Sequence, residues 1–231
     1  MNRTLTFTRE QLRAPFNIAL LTGVPTMFVA AAAGVLSDFS RALGGTLVSD
    51  GAVVLSAGWA AAFLAGAIGF FTAASSRRAD RRLVIAGIRP VAVAMSRIVA
   101  ALLLAVLAAL AAFITLAVRT SLAHPWHVAA GIVAFAWLYL GVGVVIGSFV
   151  TDPLAGSLTV TLVFILDVFS GPGMGTSIPL WALSRHAAEI LIAAGAGRPS
   201  SSQTWTAAIA TTGVALLAAW SAFSFTTRRR R

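Results

Sequence analysis

Six stretches of the chain are apolar over most of the length that a bilayer demands: residues 16–36, 51–74, 98–118, 128–150, 154–170 and 205–225. A helix needs roughly 20 apolar residues to traverse about 30 Å of hydrocarbon, so each stretch predicts a transmembrane helix. The third, "IVAALLLAVLAALAAFITLAV", follows directly on Arg97 and carries no charge. The fifth, "LAGSLTVTLVFILDVFS", is the shortest and contains Asp167. Polar positions gather in the links and at the ends of these runs. The pattern predicts an all-α, polytopic membrane protein that forms one transmembrane domain over residues 1–231.

A further stretch, "IPLWALSRHAAEILIAAGAG" at 178–197, has a different pattern. Leu180, Leu183, Ala187, Ile190, Leu191 and Ala194 recur at helical spacing, while Arg185 and Glu189 lie four apart on the other face. Pro179 suits a first helical position, and Gly195 and Gly197 suit an end. Each charge buried at a span centre costs roughly 2.5–3.5 kcal/mol on insertion scales. The stretch is therefore expected to be an external amphipathic helix between spans five and six, lying at the outer membrane surface or plugging a cavity mouth.

The charges then orient the spans. All 17 basic residues are arginine. Six crossings bring both termini to one side, and that side receives Arg3, Arg9, Arg13, Arg77, Arg78, Arg81, Arg82, Arg89, Arg97 and Arg228 to Arg231. The other side receives Arg41, Arg119, Arg185 and Arg198. Positive residues favour the cytoplasm, so both termini and the 75–97 link are expected inside. A seventh crossing would send the terminal "RRRR" outside. Arg3 to Arg13, the apolar run from Phe16 and "AAAA" at 30–33 look superficially like a cleavable signal. Cleavage would leave five spans and upset this balance.

Composition agrees with a membrane class. The chain is 58% hydrophobic and 10% charged, with a mean hydropathy of +0.90, whereas soluble domains are about a quarter charged. The net charge of +10 does not imply nucleic acid, because the arginines cluster at span ends rather than over one solvated face. The absence of lysine suggests a bacterium with a GC-rich genome. There is no cysteine, which excludes disulfides, thiol catalysis and zinc–thiolate sites.

The densest charge lies in "SSRRADRRLVIAGIRP", residues 75–90. On a helical wheel Arg77, Arg78, Arg81, Arg82 and Arg89 fall within an arc of about 140°. Leu83 and Gly87 lie on the far side, flanked by Val84 and Asp80. The segment reads either as a stop-transfer cluster touching lipid headgroups or as a short cytoplasmic helix with one basic and one small apolar face. Its continuation, "LVIAGIRPVA", is too apolar for a simple solvated link. Gly87 and Pro90 mark where a short helix ends and the chain re-enters the membrane.

With these parts in place the chain resembles the permease subunits of ABC-2 type exporters. The resemblance rests on "RRADRRLVIAGIRP" followed by "AMSRIVAALLLAVLAALAAF", on the inner turn "TDP" at 151–153, on the outer helix "PLWALSRHAAEILIAAG", and on a last span opened by Trp205 and closed by arginines. It covers nearly the whole chain, and the order of features carries it more than any one motif. It implies six spans with both termini cytoplasmic and a coupling helix between spans two and three that docks on an ATPase. It also implies ATPase subunits and a second permease copy, or a paralogous permease, as partners in the plasma membrane. Matched residue by residue, the coupling positions are Arg77, Arg78, Asp80, Arg81 and Arg82. Family members often place glutamate there, and Asp80 is the one acid present locally.

Other chemistry is sparse. A phosphate-binding loop needs its lysine, so without lysine the chain is expected to have no ATPase site and no cofactor of its own. ATP and magnesium would then sit on a partner chain. Asp167, about 20 Å along the fifth span, is either a charge reaching out to Arg185 or to water near "SGPGMG", or a group lining the substrate pathway. Asp152 before Pro153 is expected to cap span five. His124 and His127, with Pro125 between them, read as interface residues beside Trp126 rather than metal ligands. The substrate implied is amphipathic, a drug-like compound or a lipid. A non-ATP membrane protein, either a secondary transporter or an assembly factor, is the competing class. It should show several intramembrane charges or an inverted repeat, and the two halves of the chain do not match well.

Overall fold

A computed structural model describes residues 49–76, 82–83, 85–171 and 182–228, with positions 23, 26–31, 34–35, 38, 40–42, 44–45 and 47 before them. No strand occurs among the described residues. Their helices are α1 (Ser49–Ser75), α2 (Pro90–Arg119), α3 (Pro125–Phe149), α4 (Pro153–Ser170), α5 (Arg185–Gly195) and α6 (Ser202–Arg228). All but α5 are long and apolar enough to cross a membrane. The chain is thus an all-helical, multi-pass membrane protein, and α1, α2, α3, α4 and α6 correspond to predicted spans two to six. The described part of the first predicted span, including 26–31, is helical.

Three of the helices begin at proline. Pro90, Pro125 and Pro153 occupy the first turn of α2, α3 and α4, where the missing N–H costs nothing and the fixed φ already suits a helix. Arg89 before Pro90 is extended, with φ −61° and ψ 128°, as the proline ring requires of its predecessor. The helical turn around Arg82 and Leu83 stops at Gly87, whose φ is +87°. The Ile88 N–H donates to the Leu83 carbonyl at 3.1 Å, the hydrogen bond of a glycine-terminated helix end. Gly87 and Pro90 therefore punctuate the chain as expected.

The start of α2 differs from the sequence reading. The span predicted from residue 98 belongs to a 30-residue helix from Pro90, about 45 Å long and longer than the hydrocarbon. The two early turns contain Arg97, which lowers the local hydropathy without interrupting backbone hydrogen bonding. An arginine can keep its guanidinium at the interface while its stem stays apolar.

Asp152 caps α4 as anticipated: its Oδ1 accepts from the N–H groups of Leu154 and Ala155 at 2.7 and 2.9 Å. Asp152→Ala is expected to cost about 1 kcal/mol, which for a chain of this size lowers the unfolding midpoint by about 2–4 °C. Thermal unfolding in detergent measures this, and an unchanged midpoint would deny the cap any energetic role.

The bundle is organised around α1 and α3, packed together through glycines. A Cβ on Gly143 would collide with the Gly66 carbonyl oxygen, and one on Gly69 with that of Leu140. Gly147 faces the Phe70 carbonyl, and Gly141 faces the Ala215 backbone of α6. In lipid, where burial of apolar surface gives no net driving force between helices, such close backbone approach supplies the packing. Gly66 and Gly69 of α1 thus permit the close approach, with Gly143 and Gly147 as their counterparts on α3.

Around this pair, α2 lies against α1 and α3, α6 against α3 and α2, and α4 against α1 and α3. Phe70 covers Gly156 of α4. Phe164 of α4 lies 5.3 Å from the Phe63 ring and 5.6 Å from the Tyr139 ring, centroid to centroid. The first apolar segment meets the end of α2: the Thr26 and Thr115 hydroxyls are 3.2 Å apart, and Arg119 donates to the Val29 carbonyl at 3.1 Å. These contacts advance together along both segments, so the two run in the same direction there.

Candidate functional site

The predicted coupling residues Arg77, Arg78, Asp80 and Arg81 lie outside the described residues, as do Pro179 and Leu180 of the predicted outer helix. Arg82 is exposed beside Ile85, which is 75% exposed, and Arg89 is exposed beyond Gly87. These side chains project from the end of the bundle where α1 finishes and α2 begins.

Asp167 lies elsewhere, within the bundle and 3% exposed. It is fourteen residues from the start of α4, about 21 Å up the helix. It shares a face with Gly156, Val160 and Phe164, the face that α4 buries. Tyr139 stands ten residues, or about 15 Å, from the matching end of α3. Its side chain leans toward the helix N-terminus, which brings the hydroxyl to the level of the carboxylate. The Tyr139 hydroxyl donates to Asp167 Oδ2 at 2.6 Å.

The second partner comes from α5. Ser184 is the N-cap of that helix, and its N–H donates to Asp167 Oδ2 and Oδ1 at 3.2 and 3.3 Å. The carboxylate thus sits at a helix N-terminus, where the aligned peptide dipoles favour negative charge. A buried carboxylate with an O–H donor, an N–H donor and a helix dipole is a satisfied one. Ser184 itself is 1% exposed, and among the described residues its Oγ has no hydrogen-bond partner.

From this foot α5 climbs between α1, α3 and α6. Leu191 enters a notch made by Gly58 of α1 and Gly131 of α3. Gly195 reaches Val54 and the backbone of Asp50 and Gly51 near the start of α1. Gly197, at φ +67°, closes the helix: Arg198 N–H donates to the Ala193 carbonyl at 2.9 Å and Gly197 N–H to that of Ala194 at 3.1 Å.

This placement corrects the surface-lying alternative for 178–197. The helix begins at Arg185 and stands upright inside one end of the bundle, which is the plugging arrangement. Two features make insertion tolerable. The buried face is small and apolar, made of Ala187, Ala188, Ile190, Leu191 and Ala194. The charges compensate one another, since Glu189 bonds Arg185 Nε at 3.0 Å and His186 Nδ1 at 3.3 Å, each side chain about 30% exposed. Arg185 is therefore engaged within its own helix, and Asp167 takes Tyr139 and Ser184 instead of reaching out to it.

His124 and His127 lie at the start of α3 with ring centroids 5.4 Å apart, and His127 lies 5.8 Å from the Trp205 ring. Among the described residues no three His, Cys, Asp or Glu side chains converge on a metal position. Trp126 beside them is 84% exposed.

Sequence reasoning missed Tyr139 and Ser184. One signal was present: Tyr139 is the chain's single tyrosine, a hydrogen-bonding group placed in the middle of a predicted span. Compared with known proteins, the chain matches no family model and resembles no curated protein beyond the level of chance.

Proposed function

We propose that this chain is the transmembrane permease subunit of an ATP-driven exporter of the ABC-2 type. It pairs with a second copy or a related permease and receives its energy from separate ATPase subunits. Both termini face the cytoplasm of a bacterial plasma membrane, and the segment around 77–89 transmits ATPase closure to α1 and α2.

The observation that carries this reading is the link between α1 and α2. Its described part is a helical turn with Arg82, Ile85 and Arg89 turned outward, ended by Gly87 and followed at once by α2. A Cβ on Gly87 would meet no atom within 4 Å, so the turn is open at its end. An arginine-rich element with an exposed isoleucine, leading directly into α2, suits a docking lever better than a solvated loop. The absence of lysine supports placing ATP chemistry on another chain, because a phosphate loop requires that residue.

The helix faces support an amphipathic or lipid-like substrate. Ser157, Thr159 and Thr161 of α4 and Thr211 and Thr226 of α6 direct their hydroxyls to carbonyls of their own helices. Such back-bonding leaves little polar lining for a strongly hydrated solute.

Purification of the tagged chain from its own host in mild detergent, with mass spectrometry of what accompanies it, tests the reading. An ATPase subunit carrying a phosphate loop is expected, and the chain alone is expected to hydrolyse no ATP. An intact complex without any ATPase would transfer the protein to the non-ATP class.

A further inference from the structure

We propose that Asp167 is a positioning residue: it latches α5 into the end of the bundle at which α1 and α3 begin, so that α5 acts as a releasable plug tied to α4. The inference goes beyond the permease reading and does not depend on what drives transport.

Three observations carry it. First, the tie between α4 and α5 is chemical rather than steric. α4 packs against α1 and α3, whereas α5 packs against α1, α3 and α6. The Asp167 carboxylate joins the two by taking the Ser184 N–H at the very start of α5. Through Tyr139 the same carboxylate also fixes α3. One side chain therefore fixes the foot of α5 against two spans.

Second, the rest of the seat is apolar. Leu191 rests in the Gly58–Gly131 notch, and Ala187, Ala188, Ile190 and Ala194 fill the remainder of the buried face. Among the described residues no side-chain hydrogen bond runs from α5 to another helix, so the tie at its foot is the polar one. The polar groups of the helix, Arg185, His186 and Glu189, are partly exposed and bonded to one another, so their contacts travel with α5 when it moves.

Third, the docked position is not fully satisfied. Among the described residues the enclosed Ser184 Oγ has no hydrogen-bond partner. A buried hydroxyl in that state is penalised relative to a hydrated one, so docking is opposed at the very residue that Asp167 holds. Removal of the carboxylate takes away the opposing attraction, and the half-helix loosens from its foot while the glycine-packed pair of α1 and α3 stays intact.

The chain has no cysteine, so a single introduced thiol reports accessibility without background. Ala188→Cys places it on the buried face of α5, where Ala188 is 1% exposed, and Ala136→Cys places a control within α3, where Ala136 is fully buried. Each is made alone and with Asp167→Leu, which keeps the branched shape and removes every acceptor. The protein is held in lipid nanodiscs, both faces meeting water, and treated with a water-soluble maleimide.

Ala188→Cys is expected to be protected in the parent and to label at least about tenfold faster with Asp167→Leu, the scale set by loss of a hydrogen bond to a buried charge. Ala136→Cys is expected to remain protected in both. With Tyr139→Phe the rise should be smaller, because Ser184 keeps its acceptor. An unchanged Ala188→Cys rate would overturn the latch. Equal gains at both cysteines would also overturn it, by showing that Asp167 holds the whole bundle together. Where Asp167→Leu does not fold, Asp167→Ala decides in its place: it removes every acceptor, and absence of any rise rejects the proposal.

Discussion

Gly143→Leu is expected to abolish the folded bundle, whereas Gly213→Leu, the same chemical change on α6, is expected to be nearly silent. A Cβ at 143 would collide with the Gly66 carbonyl oxygen and come within 2.9 Å of the Phe70 nitrogen. Both are backbone atoms, so no rotamer change relieves the clash, and α1 must move away as a body. Retreat is blocked, because α1 also holds α2, α4 and α5 and is the most enclosed of the membrane helices. Separation by one side-chain layer forfeits dispersion contacts along the entire α1–α3 seam, the interaction that holds helices together in lipid.

The effect belongs with the rare substitutions that cost more than about 4–5 kcal/mol, a large share of a total stability of about 5–15 kcal/mol. At Gly213 nothing lies within 4 Å of the added carbon, and a change within about 0.5 kcal/mol is expected. Thermal unfolding of the isolated chain in detergent compares the two, with size-exclusion chromatography to detect loss of the compact form. Equal stability of the two variants would remove the glycine seam from its central place in the fold.

The contrast between these glycines also shows what can be read from one dimension. Gly66 and Gly143 are both visible as small residues inside apolar runs, but so is Gly213. Which glycine faces another backbone depends on helix rotation, and no local pattern reports that for helices apolar on every side. The start of α4 was far more legible, because Asp152 caps through atoms two and three residues away and Pro153 acts on its own neighbours. The beginning of α2 was misjudged because hydropathy records what a residue prefers, while the backbone continues helical past Arg97.

The candidate site was half legible for a similar reason. Asp167 stood out as a carboxylate within a span, a costly placement that signals a partner. That partner, Tyr139, lies 28 residues away, and the other is a backbone N–H that any residue at position 184 could offer. The charges of α5 left a surface helix and a plug both open, because the glycine notch receiving Leu191 is a tertiary fact. An amphipathic sequence reveals that a face is buried, while the surface burying it comes from other helices, α1, α3 and α6.

On the proposed permease reading, simultaneous replacement of Arg77, Arg78, Arg81 and Arg82 by alanine is expected to abolish recovery of an ATPase with the chain while leaving the chain inserted in its original orientation. The two effects are separable on the arginine distribution. With the proposed six crossings, the substitution leaves nine arginines on the side of the termini against four on the other, so the bias that sets orientation keeps its sign. What disappears is the basic arc of the link between α1 and α2, leaving Arg89 as its one remaining cation. Attraction of such a segment to anionic headgroups is worth about 1 kcal/mol per arginine. A lipid-only role therefore predicts a link that drifts from the membrane surface and an ATPase that stays bound.

A docking role predicts loss of the ATPase itself, because desolvated charge pairs and the exposed Ile85 beside them must engage together. Co-purification from the native host, with protease accessibility of a C-terminal tag to report orientation, distinguishes these outcomes. Loss of the ATPase with the tag side unchanged establishes the segment as the docking element. Retention of the ATPase confines these arginines to orienting the chain, and the energy for transport must then enter through another surface of the bundle.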